Sequence, residues 1–241
     1  SSISQGFIDH WPDQSIRRTN LEKLKSQDTT VLTELMIDLD VDGLGSVGLH
    51  DVSESLFTDI KALLPSAQSA FVLVQEIFPE SVRHISSKAI IGDLALRDLF
   101  RSNSAIASGH LNWEAFSLVR RLHKKGYKGL VLPAEGGPYS GKYLEGPVSY
   151  KKLAVATGLG MIGWNGLLLM PKFGPNVRLA CVITDARVDT KVSIEEFVSP
   201  CIKCGGACIK ICPIKAISKP KEGELCQFDK YACNTYLIGS E

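Results

Sequence analysis

Short apolar runs alternate along the chain with segments whose apolar residues recur every three or four positions. The runs are typical of buried strands and the recurring spacing is typical of helices. The predicted strands lie around residues 47–49, 69–77, 127–132, 167–170 and 177–184. The predicted helices lie at residues 30–39, at 60–64 with an end at Pro65, within 89–125 with an end at Gly126, and at 148–157. This alternation predicts an α/β or α+β layered domain.

The predicted elements divide the chain into two parts. Residues 1–190 form the α/β core, and residues 191–241 form a small C-terminal segment that contains most of the cysteines. Between the third strand and the next helix, residues 134–147 (AEGGPYSGKYLEGP) are rich in glycine and proline. This composition predicts a loop that is flexible or covers a ligand.

The overall composition is that of an ordinary globular protein, with 44% hydrophobic and 22% charged residues. A net charge of +1 gives no electrostatic reason to expect bulk nucleic-acid binding. No run approaches the ~18 apolar residues of a membrane helix, and we expect no membrane partner. Six of the seven cysteines lie within residues 201–233, which argues against a disulfide scaffold. The sequence therefore predicts a reducing, cytoplasmic location.

Four closely spaced cysteines lie in the segment CIKCGGACIKICP. They are Cys201, Cys204, Cys208 and Cys212. The run that holds iron–sulfur clusters in bacterial ferredoxins is C-x₂-C-x₂-C-x₃-C-P, and this one has a single extra residue between its second and third cysteines. Gly205 and Gly206 supply the permissive backbone that wrapping thiolates around a cluster requires. The pattern predicts an iron–sulfur cluster, with a zinc site, disulfides or buried structural cysteines as alternatives.

Three glycines, Gly158, Gly160 and Gly163, follow the helix predicted at residues 148–157. One interpretation is a tight connection in which glycine allows close packing. The other is a backbone that closely approaches a flat or anionic cofactor. The G-x-G-x-x-G spacing does not indicate a dinucleotide site, because the run follows a helix rather than a strand.

Three segments together resemble the epoxyqueuosine reductases and the corrinoid-dependent reductive dehalogenases. They read AVATGLGMIGWNGLLLMPKFGPNVRLACVITD, CIKCGGACIKICPIKAI and FDKYACNTYL, and the earlier LHKKGYKGLVLPA adds to the similarity with the dehalogenases. The resemblance implies a nitroreductase-like α/β (α+β layered) core that holds cobalamin. It also implies a small C-terminal ferredoxin-like segment whose [4Fe–4S] cluster supplies electrons.

The same resemblance assigns roles to individual residues and partners. It places a corrinoid-binding turn at Gly158, Leu159, Gly160, Gly163 and Asn165. It implies an electron donor such as ferredoxin or flavodoxin and a small-molecule or nucleoside substrate. FMN is a further alternative for a nitroreductase-like core.

The chain departs from these families in its number of cysteines. Two clusters need eight ligands, and the second cysteine motif is missing from a chain that stops at Glu241. We therefore expect one cluster, or two with a missing tail. Cys201, Cys204 and Cys208 are its expected ligands. The candidates for the fourth ligand are Cys212, Cys226 and Cys233, of which Cys233 matches a family cysteine. Cys181 lies in an apolar strand pattern and is predicted to be core.

A proton donor is harder to identify from the sequence. His110 and Glu114 lie four residues apart on one predicted helix face, which suits an acid–base pair. The alternative is that both are solvated helix residues. Tyr139 and Tyr143, in the glycine-rich loop, are rival donors.

Two functions remain open at this point. The first is an oxidoreductase that passes electrons from a cluster to a corrinoid in the core and reduces a small or nucleoside substrate by dehalogenation or epoxide reduction. The second is a non-catalytic iron–sulfur electron-transfer protein without a corrinoid.

Overall fold

A computed structural model of the chain describes residues 35–36, 38–86, 94–134, 144–188, 199–221 and 227–239. The strands in these ranges are β1 (Gly43–Gly48), β2 (Ser69–Glu76), β3 (Gly129–Leu132), β4 (Met161–Ile162), β5 (Leu168–Leu169), β6 (Val177–Thr184), β7 (Ile217–Ser218) and β8 (Gln227–Phe228). The helices are α1 (Glu54–Leu63), α2 (Pro79–Ser86), α3 (Leu94–Lys124), α4 (Tyr150–Ala156), α5 (Pro200–Cys204), α6 (Ala207–Ile211) and α7 (Lys230–Gly239).

The centre of the fold is a four-stranded antiparallel sheet with the strand order β1-β2-β6-β3. β2 and β6 pair along their whole length, from Ser69 opposite Thr184 to Glu76 opposite Val177. Both are central strands whose two faces are covered, and for that reason their sequences are nearly continuous apolar runs.

The two faces of the sheet pack against different layers. Phe71, Leu73, Ala180 and Val182 project from one face, where they form a core with α3 residues that include Leu111, Ala115, Leu118 and Leu122. Val72, Val74, Cys181 and Ile183 project from the other face, where they pack with residues from α1, α4 and the β4–β5 hairpin, among them Ile60, Leu153 and Leu168. Because side chains alternate along a strand, the long helix and the hairpin lie on opposite sides of the sheet.

Most of the predicted elements are confirmed within the described residues. The runs at 69–77 and 177–184 are β2 and β6, and the helical pattern within 89–125 is α3. Gly126 ends α3 with a φ of +88°, while the Tyr127 N–H donates to the Leu122 carbonyl at 3.0 Å. This is the left-handed helix ending that glycine favours.

The first predicted strand differs from the observed one, and two other predicted elements lie mostly outside the described residues. The strand predicted around residues 47–49 is β1, which ends at Gly48, and Leu49 begins a short 3₁₀ helix. The glycines of β1 weaken its strand pattern, although its backbone pairs fully with β2. Most of the predicted 30–39 helix and of the 134–147 loop lies outside the described residues, but Leu35, Met36 and Leu39 are buried in the α3-side core.

The predicted fold class is confirmed as a mixed α+β architecture. The ferredoxin-like character of the C-terminal segment stays a prediction. None of the helices in the described ranges has both the length and the apolar character needed to cross a bilayer.

Truncating a core residue of α3 should test this layer assignment. Leu118 is fully buried against the sheet, whereas Ile106, on the same helix, is 72% exposed. We expect Leu118→Ala to lower the free energy of unfolding by about 2–5 kcal/mol and Ile106→Ala to change it by less than about 0.5 kcal/mol. Urea denaturation followed by circular dichroism measures both values. Equal losses would contradict the packing of α3 on this face.

Candidate functional site

The predicted cysteine ligands lie on two very short helices and the turns that flank them. We refer to residues 199–217 as the cysteine loop. Cys201 is in the first turn of α5, where its N–H donates to the Ser199 hydroxyl at 3.4 Å. Gly205 and Gly206, with φ values of +62° and +70°, separate α5 from α6. These left-handed positions reverse the chain direction between Cys204 and Cys208 and are readily adopted by glycine.

Cys208 lies close enough to Cys204 and Cys201 to be affected electrostatically by both. Burial raises the pKa of the Cys208 thiol most strongly, and the neighbouring Cys204 and Cys201 raise it further. Like charges disfavour each other's ionisation, so both neighbouring thiols act on the pKa of Cys208 in the same direction as burial. Cys201 is itself buried.

Cys212 has a different environment from the other three. Desolvation is the largest single influence and raises its pKa, but backbone N–H groups of residues 214–217 surround the sulfur and together lower the pKa below its usual value. One of them, from Ala216, lies 3.3 Å from the Cys212 Sγ. Hydrogen bonds to a thiolate favour the charged form, so this turn is suited to an ionised sulfur.

The described residues contain no group of three or more His, Cys, Asp or Glu side chains placed to hold a single metal ion. Cysteine thiolates are the donors that iron–sulfur clusters use, and a cluster held by Cys201, Cys204 and Cys208 stays a prediction from their spacing. Cys233 lies on α7 and is partly exposed, and Cys226 falls outside the described residues. Cys181 is fully buried in β6, as predicted.

The glycine-rich segment forms a helix ending followed by the β4–β5 hairpin. We call residues 158–170 the glycine hairpin. Gly158 has a φ of +77°. Its N–H donates to the Val155 carbonyl, and the next N–H, from Leu159, donates to the Ala154 carbonyl. This pair of bonds is the Schellman ending of α4, which requires a residue that adopts the left-handed conformation.

The other two glycines are required by packing inside the hairpin. A Cβ atom at Gly160 would overlap the Leu169 carbonyl oxygen and lie 3.0 Å from the Leu169 carbonyl carbon. A Cβ atom at Gly163 would lie 2.7 Å from the Leu169 Cδ1. Asn165 accepts the Leu167 N–H at 3.1 Å through its Oδ1, and Leu159 is buried. Close packing therefore accounts for these glycines, and a corrinoid-binding role stays a prediction.

The glycine hairpin and the cysteine loop meet at Trp164, in the hairpin turn. The backbone N–H of Trp164 donates to the Cys201 Sγ at 3.5 Å. The indole lies against Gly206, where an added Cβ would be 3.4 Å from the ring, and the Lys219 Nζ lies 5.9 Å from the ring centroid. Sequence reasoning did not identify Trp164, because nothing in the turn sequence GWNG predicts what the indole contacts.

Further contacts position the turn and the end of the chain. The Lys151 Nζ, from α4, donates to the Gly166 carbonyl in the hairpin turn. Lys230, at the start of α7, forms an ion pair with Glu145 and lowers the pKa of that carboxyl. The ion pair joins α7 to the segment that precedes α4.

His110 and Glu114 lie elsewhere, on the α3 side of the sheet. The His110 Nδ1 is 3.0 Å from the Gln75 Oε1, and its Nε2 is 3.5 Å from the Asp40 Oδ2. The Glu114 Oε2 accepts the Asp40 N–H at 3.3 Å. The structure thus brings His110 and Glu114 together at residues 38–42 but separates both from the glycine hairpin by the sheet. Tyr139 and Tyr143 lie outside the described residues.

Paired glycine substitutions should test the packing of the hairpin. Gly160→Ala places a methyl group against the Leu169 backbone, so we expect a loss of about 1–3 kcal/mol in the free energy of unfolding. Gly109→Ala, in α3, meets nothing within 4 Å and should stabilise the protein by about 0.5–1 kcal/mol. Chemical denaturation of both variants measures the difference. A neutral Gly160→Ala would show that the hairpin is less tightly closed.

Alkylation of the metal-free, reduced protein should distinguish the cysteines. The pKa of Cys212 is lowered and that of Cys208 is raised, so near neutral pH Cys212 holds the larger thiolate fraction. We expect iodoacetamide to modify Cys212 first, Cys208 more slowly and the buried Cys181 last. The difference should shrink as the pH rises above both pKa values. Mass spectrometry of timed digests gives the order, and faster labelling of Cys208 would contradict it.

No family model matches the chain. Over 79 residues it is 42% identical to the tetrachloroethene reductive dehalogenases of Desulfitobacterium hafniense and Dehalobacter restrictus, a stretch that covers 31% of this chain and 14% of each relative. The chain thus spans a small part of the curated relatives that it matches.

Solved structures show where the fold occurs. The catabolic reductive dehalogenase NpRdhA matches with a TM-score of 0.59 at 18% identity, over 85% of this chain and 28% of that one. An epoxyqueuosine reductase from Bacillus subtilis matches with a TM-score of 0.46 at 20% identity, over 82% of this chain and 53% of that one. The predicted resemblance is therefore confirmed: the chain is similar to reductive dehalogenases in part of its sequence and in its fold.

Proposed function

We propose that this chain is the cofactor-binding part of a reductase of the reductive dehalogenase and epoxyqueuosine reductase type. The observation that carries the proposal is the contact at Trp164. This contact joins the glycine hairpin to the cysteine loop. The resemblance relates the hairpin to a corrinoid, and the cysteine spacing relates the loop to a cluster. The sequence similarity to tetrachloroethene reductive dehalogenases supports a carbon–halogen or comparable bond as the one reduced.

In this proposal Cys201, Cys204 and Cys208 hold a [4Fe–4S] cluster, because their spacing resembles a ferredoxin run and a left-handed glycine turn separates Cys204 from Cys208. Cys212 and Cys233 are the described candidates for the fourth ligand. When bound, the cluster supplies single electrons and the corrinoid supplies the metal that reduces the substrate. A ferredoxin or flavodoxin is the proposed source of those electrons.

The protein's own residues would tune and shield this cluster. The Trp164 N–H directed at the Cys201 sulfur withdraws negative charge from it, and such hydrogen bonds raise the reduction potential of a cluster. The indole covers the backbone at Gly206 and keeps water away from that side of the cysteine loop. Lys151, through the Gly166 carbonyl, holds the turn that presents Trp164.

The proposal gives no proton-delivery role to His110 or Glu114. Both lie across the sheet from the glycine hairpin, and their contacts with Gln75 and Asp40 connect α3 to β2 and to residues 38–42. We assign them to stabilising that side of the core. Tyr139 and Tyr143 remain the proposed candidates for delivering a proton.

Metal analysis is the experiment that tests the proposal. The protein is purified without oxygen, reconstituted with iron and sulfide, and incubated with hydroxocobalamin before gel filtration. We expect about four irons per chain, with cobalt retained in stoichiometric amount. Iron without cobalt or flavin would favour the non-catalytic electron-transfer protein, and bound flavin would favour FMN in the core. Zinc in place of iron would overturn the cluster assignment.

Serine substitutions should identify the ligands. We expect Cys201→Ser, Cys204→Ser and Cys208→Ser each to lose most of the iron and the visible absorbance after reconstitution, because a cluster needs its thiolates. Cys181→Ala is the control and should keep both, since Cys181 is buried in β6. Cys212→Ser and Cys233→Ser are compared in the same way, and the variant that loses iron identifies the fourth ligand. Retention of iron by all three loop variants would contradict the assignment.

A further inference from the structure

A strongly basic segment contains four of the cysteines. Residues 199–221 contain five of the chain's 27 basic residues and none of its 26 acidic residues. The five are Lys203, Lys210, Lys215, Lys219 and Lys221, and all are exposed. The rest of the chain contains more acidic than basic residues, so the positive charge is a local feature of this segment.

Two large apolar side chains are exposed among these lysines. Ile202 is 75% exposed on α5 and Ile211 is 82% exposed on α6. Ile202 directly follows Cys201, and Ile211 directly precedes Cys212. Exposed apolar side chains bordered by charges are typical of an interaction surface, because a partner that covers them removes apolar area from water. We call Ile202, Lys203, Lys210, Ile211 and Lys215 the lysine–isoleucine surface.

We propose that the lysine–isoleucine surface docks an acidic electron-donor protein. The proposal rests on the proposed function, since it assumes that the cysteine loop holds the cluster. Charge complementarity selects the partner: a described segment, residues 199–221, with five lysines and no carboxylates attracts an acidic protein and repels a basic one. In the docked pair the reduced donor loses one electron and the cluster gains it, with no bond made or broken.

A local role for the lysines is the competing explanation. Cations close to thiolates offset their charge, and this would change the reduction potential of the cluster. Lys219, which lies over the Trp164 ring, is part of the packing around the loop and is left unchanged in the test. Lys203, Lys210 and Lys215 are exposed, and for them docking and charge compensation predict different measurements.

The test compares two triple variants that remove the same charge. Lys203→Gln/Lys210→Gln/Lys215→Gln alters the proposed surface. Lys124→Gln/Lys125→Gln/Lys128→Gln alters three exposed lysines at the end of α3 and the start of the following strand segment. The probe is an acidic [2Fe–2S] ferredoxin. Binding of the oxidised probe is measured by calorimetry over a range of salt concentrations, and reduction of the reconstituted chain by the reduced probe is followed by stopped flow.

We expect the surface variant to bind the ferredoxin about tenfold more weakly at low salt, with a comparable fall in the second-order reduction rate and a weaker dependence on salt. The control variant should match the unaltered protein. Reduction by photoreduced 5-deazaflavin, a small neutral reductant, should be the same in all three. Ile202→Gln/Ile211→Gln should weaken binding without changing its salt dependence, because it removes apolar contact and no charge.

Three results would overturn the inference. The first is equal binding and reduction rates in the surface variant and the control. The second is an unchanged donor affinity together with a shifted midpoint potential, which would assign the lysines to charge compensation. The third is equal weakening in both triple variants, which would indicate a general charge effect. Failure to incorporate iron in the unaltered protein would refute the proposed function instead, and iron content measured beforehand separates the two cases.

Discussion

The full-length pairing of β2 with β6 is the interaction on which the rest of this structure depends. Both strands are buried on both faces, so each face must be covered by a separate layer. The long helix α3 covers one face, and α1, α4 and the glycine hairpin cover the other. This division decides which side chains meet: the described core residues of α3 pack on the face opposite the glycine hairpin, and the hairpin contacts the cysteine loop.

The glycine hairpin depends in turn on the absence of side chains. Gly158 ends α4, and Gly160 lets the hairpin backbone approach Leu169. The resulting turn places the Trp164 N–H against Cys201 and its ring against Gly206. The closely packed hairpin turn therefore helps to position Cys201. Support of this kind can hold in place a site that lies on short helices.

The cysteine loop has little stability of its own. Its two helices have five residues each, too short to persist without tertiary contacts or a bound group. Its positive charge would also help to hold a cluster whose thiolates and sulfides are negative. In our proposals the same charge would attract an acidic donor, so that cofactor retention and electron supply would both depend on these few residues.

The sequence by itself determined the central strands, the long helix with its end at Gly126, the buried Cys181 and the run of cysteines, because apolar periodicity, left-handed glycine and ligand spacing are local properties. Tertiary structure decided that His110 and Glu114 lie across the sheet from the hairpin, and that Trp164 contacts Cys201. These facts depend on which layer covers which face. The packing of layers on the sheet brings together residues that are distant in sequence, and a local sequence pattern does not predict it.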